Sequence, residues 1–205
     1  YNLQLILSLV SACMSVPKSN KMSEEEFDKL QEYYREISLL ENANKLFYNT
    51  DRVHNALVMS QIFQQSQEVN MYCGKLSLFG VDFAEKVNND FTIKQKNIFS
   101  PMDILYKSIK QFLSSGKRLT VIVEKHPDKF EESIKFIQLY NNFHLYKISS
   151  SNQAEFHFSV GDGVRYRREL DKDSHTAICC FDEKEGAQIM NEQFRYRLTL
   201  STPLN

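Results

Sequence analysis

Apolar residues at helical spacing predict two helices in the first third of the chain. Ser23 and Glu26 form a capping box, so we predict a helix over residues 23–48. Asp51 can cap a second helix, which ends near Gln67. The apolar positions that support the two helices are Phe27, Leu30, Tyr34, Ile37, Val53, Ala56, Leu57 and Phe63.

Helices and strands alternate through the middle of the chain. Pro101 at a first helical position starts a helix that ends before Gly116. A further helix is predicted over residues 128–140. Apolar runs predict buried strands over residues 69–73, 119–124 and 143–148. This order predicts parallel strands whose faces are covered by helices, which is an α/β fold.

The pattern changes after residue 152. Two segments, 155–160 and 164–169, flank Gly161-Asp162-Gly163, a sequence that favours positive φ and predicts a β-hairpin. A further strand is predicted over residues 175–181. Asp182 is the predicted cap of a last helix.

Composition places the chain among globular proteins, with 205 residues, 42% hydrophobic positions, Gly 6 and Pro 4. The 25 basic and 26 acidic residues give a net charge of −1, which argues against electrostatic capture of nucleic acid or membrane by the whole molecule. The longest apolar stretch, Leu3 to Met14, is too short to span a membrane. Residues 1–15 form either an amphipathic helix that packs on the domain or a neighbouring subunit, or the remnant of a targeting signal.

The cysteines predict neither disulfides nor a metal centre. Cys13, Cys73, Cys179 and Cys180 lack CxxC spacing, so we expect reduced thiols and a cytoplasmic protein. His175 and Cys179 would lie roughly 13 Å apart along a strand, too far to share an ion. We therefore predict no metal and no cofactor.

The segment Glu155-Phe-His157-Phe-Ser-Val-Gly-Asp162-Gly resembles the strand motif of the phospholipase D superfamily, the HKD phosphodiesterases and nucleases. In that family the motif is His, any residue, Lys, four residues, then Asp. The resemblance covers roughly residues 51–200. It implies a phospholipase D-like mixed sheet flanked by helices over residues 51–205, preceded by an N-terminal helical segment over residues 1–50. The family's pairing of half-sites implies a homodimer.

On this spacing Glu155 stands at the family's nucleophilic His, His157 at its Lys and Asp162 at its Asp. A carboxylate at the nucleophile position repels a phosphodiester, and a His is only partly charged near neutrality. The resemblance therefore predicts a catalytically degenerate domain that works as a binding or assembly module rather than an enzyme. Its ligand would be nucleic acid or another phosphate-bearing molecule.

Arg165, Arg167 and Arg168 are the candidate ligand-binding residues, because they form the densest basic run and Arg165 and Arg167 share a strand face. The other interpretation is a set of ion pairs with the acidic residues that follow, Glu169 among them.

Two other functions remain open. One is an active phosphodiesterase or nuclease with His157 as nucleophile, oriented by Glu155 or Asp162. The other is a purely structural subunit that binds a partner protein and no nucleic acid. His157 itself is either a catalytic residue or a structural histidine of its strand.

Overall fold

A single mixed sheet of eight strands organises the residues that the computed structural model describes, which are 24–39, 46–49, 51–90, 100–127, 129–132, 134–170 and 176–204. The strands are β1 (Phe47–Asn49), β2 (Glu68–Cys73), β3 (Arg118–Val123), β4 (Phe143–Ile148), β5 (Phe158–Gly161), β6 (Arg165–Glu169), β7 (Ala177–Cys180) and β8 (Ser201–Pro203). The helices are α1 (Glu24–Leu39), α2 (Arg52–Gln65), α3 (Val81–Asp90), α4 (Pro101–Ser114) and α5 (Lys184–Thr199). The predicted α/β fold is confirmed.

The sheet changes direction at β2. Its strand order is β1-β7-β6-β5-β2-β3-β4-β8. β2, β3 and β4 are parallel, as the alternation of helix and strand predicts, whereas β5 pairs with the other edge of β2 in antiparallel register. β2 is therefore the strand at which the parallel set β2, β3 and β4 meets the antiparallel set that begins with β5, and the edge strand β8 is antiparallel to β4.

Helices cover both faces of the sheet. On one face, α1 to α4 bury apolar side chains against alternate residues of β2 and β3, such as Met71 and Val121. On the other face, Ala187, Met190 and Phe194 of α5 form a smaller core with Tyr72. The period-two alternation of strand side chains thus divides the core into two clusters. Within the described residues, none of the helices has both the length and the hydropathy to cross a membrane.

Several predicted helices and strands are confirmed, and two of the helices begin at the predicted capping residues. Asp51 caps α2 by accepting a hydrogen bond from the His54 amide at 2.9 Å. Ser100 and Asp103 form a reciprocal capping box at the start of α4, next to Pro101. The predicted strands at residues 69–73, 119–124 and 143–148 are β2, β3 and β4.

The helix predicted over residues 23–48 is too long. It ends at Leu39, and residues 47–49 instead form β1, which pairs with β7. The Phe47 ring packs 5.3 Å from the ring of Phe181 and 5.7 Å from that of Tyr34. Tertiary pairing at the sheet edge therefore decides the conformation of this segment, against its helical pattern. Ser23 lies outside the described residues.

The helix predicted over residues 128–140 is also wrong; among the described residues of this range, which leave out 128 and 133, a 3₁₀ helix forms over Lys135–Leu139. The Lys129 carbonyl accepts a hydrogen bond from Val81, and the Glu131 amide donates to Phe79. The bond from Val81 occupies the Lys129 carbonyl, which a helix through this segment would pair with the amide four residues later. The helix that does form nearby is α3, which the sequence analysis did not predict.

The predicted hairpin is confirmed, but its first strand is shorter than expected. β5 begins at Phe158, and residues 155–157 lie outside it. The turn places Asp162 at φ +52° and Gly163 at φ +66°, the positive values that the sequence favours. Gly161 also permits a close approach of α2, because a Cβ there would lie 2.2 Å from Ser66 Oγ.

The last helix has a different cap from the predicted one. Glu183, not Asp182, caps α5, and its carboxylate accepts the Gly186 amide at 3.0 Å. The strand predicted over residues 175–181 is β7, and His175 lies outside the described residues. Residues 1–15, with their two interpretations, lie outside them too.

Candidate functional site

The candidate site lies at the carboxyl ends of the parallel strands β2 and β3. Tyr72 is near the end of β2, Glu124 directly follows β3, and His157 directly precedes β5. In open α/β sheets, ligands bind outside the carboxyl ends of strands where the strand order reverses. β2 has a parallel neighbour on one side and an antiparallel neighbour on the other, so its carboxyl end is such a position.

His157 lies between two glutamates. Its Nδ1 is 2.8 Å from Glu169 Oε2, and its Nε2 is 3.7 Å from Glu124 Oε2. An ionised carboxylate can only accept a hydrogen bond, so Nδ1 carries the proton in the bond to Glu169. Glu169 therefore fixes the ring orientation of His157 and holds a proton on its Nδ1.

Arg167 and Asn49 extend this contact into the interior. Arg167 Nη1 donates to Glu169 Oε1 at 3.2 Å, and Arg167 Nε donates to Asn49 Oδ1 at 2.7 Å. Arg167 is only 5% exposed. A buried guanidinium needs such partners, since an unpaired charge in the interior is strongly destabilising. The result is a continuous polar chain from β1, through β6, to His157.

Tyr72 holds the second glutamate. Its hydroxyl donates to Glu124 Oε1 at 2.7 Å and accepts the Ala154 amide at 2.8 Å. Burial raises the pKa of Tyr72 above its ordinary value, so the hydroxyl remains protonated and continues to donate. Glu124 is consequently fixed near His157.

A cavity of about 210 Å³ opens beside His157 and is lined by Cys73 and Arg167, among others. Burial raises the pKa of the Cys73 thiol to about 12, so this cysteine is not a reactive thiolate at neutral pH. Among the described residues, no group of three His, Cys, Asp or Glu side chains is arranged to hold a metal ion.

The structure separates the three residues of the sequence motif. Glu155 is exposed in a bend. Asp162 lies at the far end of β5, roughly 17 Å along the strand from His157. There its Oδ1 accepts the backbone amides of Gln67 and Glu68 at 2.8 and 2.9 Å. Asp162 thus ties the hairpin turn to the start of β2, and of the three only His157 lies at the candidate site.

The three candidate arginines have different surroundings. Arg165 pairs with Asp162 at 3.2 Å, and the Arg168 guanidinium stacks over Phe156 at 4.9 Å from the ring centroid. Both are half-buried, whereas Arg167 is buried and pairs with Glu169. The predicted ion pair with Glu169 therefore forms at Arg167, whereas Arg165 pairs with Asp162, which precedes the strand.

Sequence reasoning missed the partners of His157. Glu124 lies at the carboxyl end of a strand that the sequence predicts to be buried. That position is typical of site residues in α/β sheets and could have identified it. Glu169 appeared only as an ion-pair partner of the arginines. Asn49 and Tyr72 gave no signal, because their roles depend on strand pairing.

Comparison with solved structures finds similar folds at very low sequence identity. TrmBL2, described as an archaeal chromatin protein with a novel mode of DNA binding, is similar with a TM-score of 0.52 and 9% identity over 88% of this chain. The chain spans 62% of the length of TrmBL2. No protein-family model and no curated protein sequence matches the chain.

Two bacterial proteins are also among the similar structures. Nuc from Salmonella typhimurium, a phospholipase D family member, has a TM-score of 0.49 and 10% identity over 78% of this chain and 97% of its own. NucT from Helicobacter pylori has a TM-score of 0.48 and 11% identity over 78% of this chain and 98% of its own. At these identities the similarity is one of fold.

Proposed function

We propose that this chain is a catalytically degenerate phospholipase D-like domain that acts as a binding or assembly module. The observation that carries the proposal is the placement of the motif residues. Glu155, at the nucleophile position of the resemblance, is exposed, and His157 is held by Glu169 beside a second carboxylate, Glu124.

Charge supports a non-catalytic role. A phosphodiester brought to His157 would meet the carboxylates of Glu124 and Glu169, and Arg167 is already engaged with Glu169. Stabilising a phosphoryl transition state needs cationic groups directed at the phosphate oxygens. The neighbourhood of His157 provides the opposite arrangement.

A second candidate, phosphodiesterase or nuclease activity that uses His157, is favoured by one observation. The bond between His157 Nδ1 and Glu169 orients the imidazole as a carboxylate orients a catalytic histidine. Against it, the free ring nitrogen Nε2 is buried and points toward Glu124 rather than toward solvent.

The proposed ligands are nucleic acid or another phosphate-bearing molecule, and a partner protein is the alternative. Similarity of fold to an archaeal chromatin protein supports including double-stranded DNA among the ligands tested. We further propose a cytoplasmic homodimer. The division into a helical segment over residues 1–50 and an α/β domain over residues 51–205 stays a prediction, with the difference that β1, at residues 47–49, belongs to the sheet. Sedimentation at several concentrations tests the dimer, and a strictly monomeric protein would contradict it.

Cleavage assays test the proposal. The wild-type protein is incubated with a generic phosphodiester and with single- and double-stranded DNA, with and without divalent metal. We expect no turnover, and the same absence in His157→Ala. Cleavage by the wild type that disappears in a folded His157→Ala variant would replace this proposal with the second candidate. Metal-independent turnover would further support histidine chemistry of the kind that the resemblance implies.

A further inference from the structure

A groove lies between α5 and the amino-terminal half of the strands β2, β3 and β4. It encloses a cavity of about 320 Å³, at the opposite end of β2 from the His157 site. Strand side chains that face α5 nearer the carboxyl ends are mostly apolar, such as Ile122. The groove has instead a polar row, Asn70, Thr120 and His144, which are paired in register across the three strands. Packing against a helix does not favour polar side chains in the middle of a sheet face, so this row points to a ligand.

Two side chains of the polar row are buried and still keep an oxygen atom free. Thr120 is 6% exposed and Asn70 is 7% exposed. The Asn70 amide group donates to Asn191 at 2.9 Å and to Glu68 at 3.2 Å, and its carbonyl oxygen accepts no hydrogen bond from the described residues. The Thr120 hydroxyl has no hydrogen-bond partner among them either. Neither oxygen is sealed from solvent, unlike Nε2 of His157, so a molecule in the groove can reach both.

Two guanidinium groups line the same cavity, and both are exposed. Arg118 pairs with Glu68 at 2.7 Å, whereas Arg195 of α5 has no carboxylate partner in the part of the chain that the structure describes. Among the described lining residues Glu68 is the only acidic one, so the groove has a surplus of positive charge. An anion there accepts N–H bonds from Arg195 and from the donors of Arg118 that Glu68 leaves unused.

A second cavity, of about 580 Å³, shares Arg195 with the first. Its lining includes the carboxylates of Asp162 and Glu192 as well as Lys184. A nucleic-acid strand that continued past Arg195 would bring its phosphates to these carboxylates, which repel them. A ligand with one phosphate group, held on the Arg118 side, avoids this repulsion. The charges therefore favour a small anion over a nucleic-acid strand.

We propose that the groove binds a mononucleotide, with its phosphate at Arg118 and Arg195 and its base at the polar row. Tyr146 and Leu198, which are half-buried in the lining, supply an aromatic and an aliphatic surface for a planar base. Base edges carry donors and acceptors, which suit a carbonyl oxygen, a hydroxyl and an imidazole. The proposal rests on the binding role proposed above, and it gives that role a ligand class and a site away from His157 and from the arginines of β6.

Titration of ¹⁵N-labelled protein, followed by NMR, tests the site. The probes are AMP, GMP, CMP and UMP, compared with the four nucleosides and with inorganic phosphate. At least one mononucleotide should bind with a Kd on the order of 0.1 mM. Its nucleoside and inorganic phosphate should each bind at least about tenfold more weakly. The shifted amides should cluster at residues 68–70, 118–120, 144–146 and 194–198.

Two variants separate the phosphate contact from the base contact. Arg195→Gln should weaken binding of the mononucleotide by about tenfold and leave binding of its nucleoside unchanged, because only the phosphate loses a partner. Thr120→Val keeps the β-branched shape but loses the hydroxyl, so it should weaken both by about fivefold. Lys86→Gln, which removes an exposed positive charge from α3 on the other face of the sheet, is the control and should change neither. Thermal melts establish that each variant is folded.

Shifts that are absent, scattered over the surface or centred on residues 157–159 would overturn the proposal. Equal affinities for inorganic phosphate and for every mononucleotide would overturn it in favour of a simple anion site. Tighter binding of a single-stranded thymidine oligonucleotide through Arg195 would overturn it in favour of nucleic acid. Failure of this titration leaves the cleavage assays and any DNA binding by the arginines of β6 untouched, and cleavage by the wild type leaves the titration untouched. The two proposals therefore fail separately.

Discussion

At the scale of single residues, the neighbours of His157 decide what its imidazole can do. Glu169 holds a proton on Nδ1, and Glu124 lies beyond the second ring nitrogen. Arg167 neutralises Glu169 from a position that is 5% exposed. Because Arg167 also holds Asn49, this one guanidinium links the edge strand β1 to the candidate site.

Replacing Arg167 tests this link. Arg167→Met leaves Glu169 partly buried without its cation, so the free energy of unfolding should fall by about 3 kcal/mol. Arg165→Met is the matched control on the same strand face, and the more exposed pair with Asp162 should contribute less than about 1 kcal/mol. Urea denaturation measures both. Equal losses would mean that the buried pair has no special structural role.

His54 gives a pH dependence. It is 1% exposed in α2, its Nδ1 is 2.5 Å from the Tyr34 hydroxyl, and its Nε2 is 4.0 Å from Asp51 Oδ2. Burial lowers the pKa of His54 below its ordinary value of 6.5, although the Asp51 carboxylate opposes this effect. Below pH 6.5 the unfolded chain therefore binds a proton that the folded protein does not.

The free energy of unfolding should accordingly fall as pH decreases from 6.5 toward the lowered pKa, with a slope of up to about 1.4 kcal/mol per pH unit from this group. Well above pH 6.5 His54 is neutral in both the folded and the unfolded protein, so this group no longer makes the free energy of unfolding depend on pH. Urea denaturation at pH 7.5, 6.5 and 5.5 should show a smaller loss for His54→Gln than for the wild type. Parallel curves for the two proteins would contradict the assignment.

At the scale of elements, the β5–β6 turn shows how one side chain joins two elements. Asp162 takes a positive φ and accepts two backbone amides at the start of β2. Both properties suit a short side chain with an acceptor, since Asp and Asn tolerate the left-handed region better than other non-glycine residues. The motif aspartate thus has a structural role at this position.

Substitutions at Asp162 should rank by these two properties. Asp162→Ala loses the acceptor and is strained at positive φ, so it should reduce the free energy of unfolding by about 2 kcal/mol. Asp162→Asn keeps the acceptor and the backbone tolerance and should cost less than about 1 kcal/mol. Chemical denaturation ranks the variants. If Asp162→Asn proved as damaging as Asp162→Ala, the carboxylate charge rather than the turn geometry would be responsible.

At the scale of the whole molecule, the net charge of −1 leaves any nucleic-acid binding to a local surface. Arg165 and Arg168 are the partly exposed members of the arginine strand, and Arg167 is buried. Phosphate contacts release counterions, so such binding must weaken steeply with salt.

We therefore expect any DNA affinity to fall with salt and to show little sequence preference. Arg165 and Arg168 are three residues apart on β6 and lie on opposite faces of the sheet, so either Arg165→Gln or Arg168→Gln, but not both, should reduce the slope of log affinity against log salt by about 1. Fluorescence anisotropy over a salt series measures this, with Lys147→Gln on β4 as the control for general loss of positive charge. Binding that does not depend on salt, or no binding, would leave assembly with a partner protein as the role of the module.

The sequence by itself determined those helices, strands and turns that depend on a few neighbouring residues. Asp51, Ser100 and Pro101 start their helices as predicted, Gly163 allows its turn, and the apolar runs form buried strands. These features depend on caps, φ preferences and side-chain periodicity, which act over a few residues. The α/β fold follows from their order along the chain.

Only the tertiary structure decided the conformation of residues 47–49 and 129–131 and the surroundings of His157, because these depend on contacts between residues distant in sequence. Pairing with β7 makes residues 47–49 a strand, and the hydrogen bond from Val81 takes the Lys129 carbonyl that a helix there would use. The candidate site brings Glu124, which follows β3, and Glu169 of β6 to the motif histidine, His157. A sequence motif locates one side chain, and the packing of separate strands determines which charges surround it.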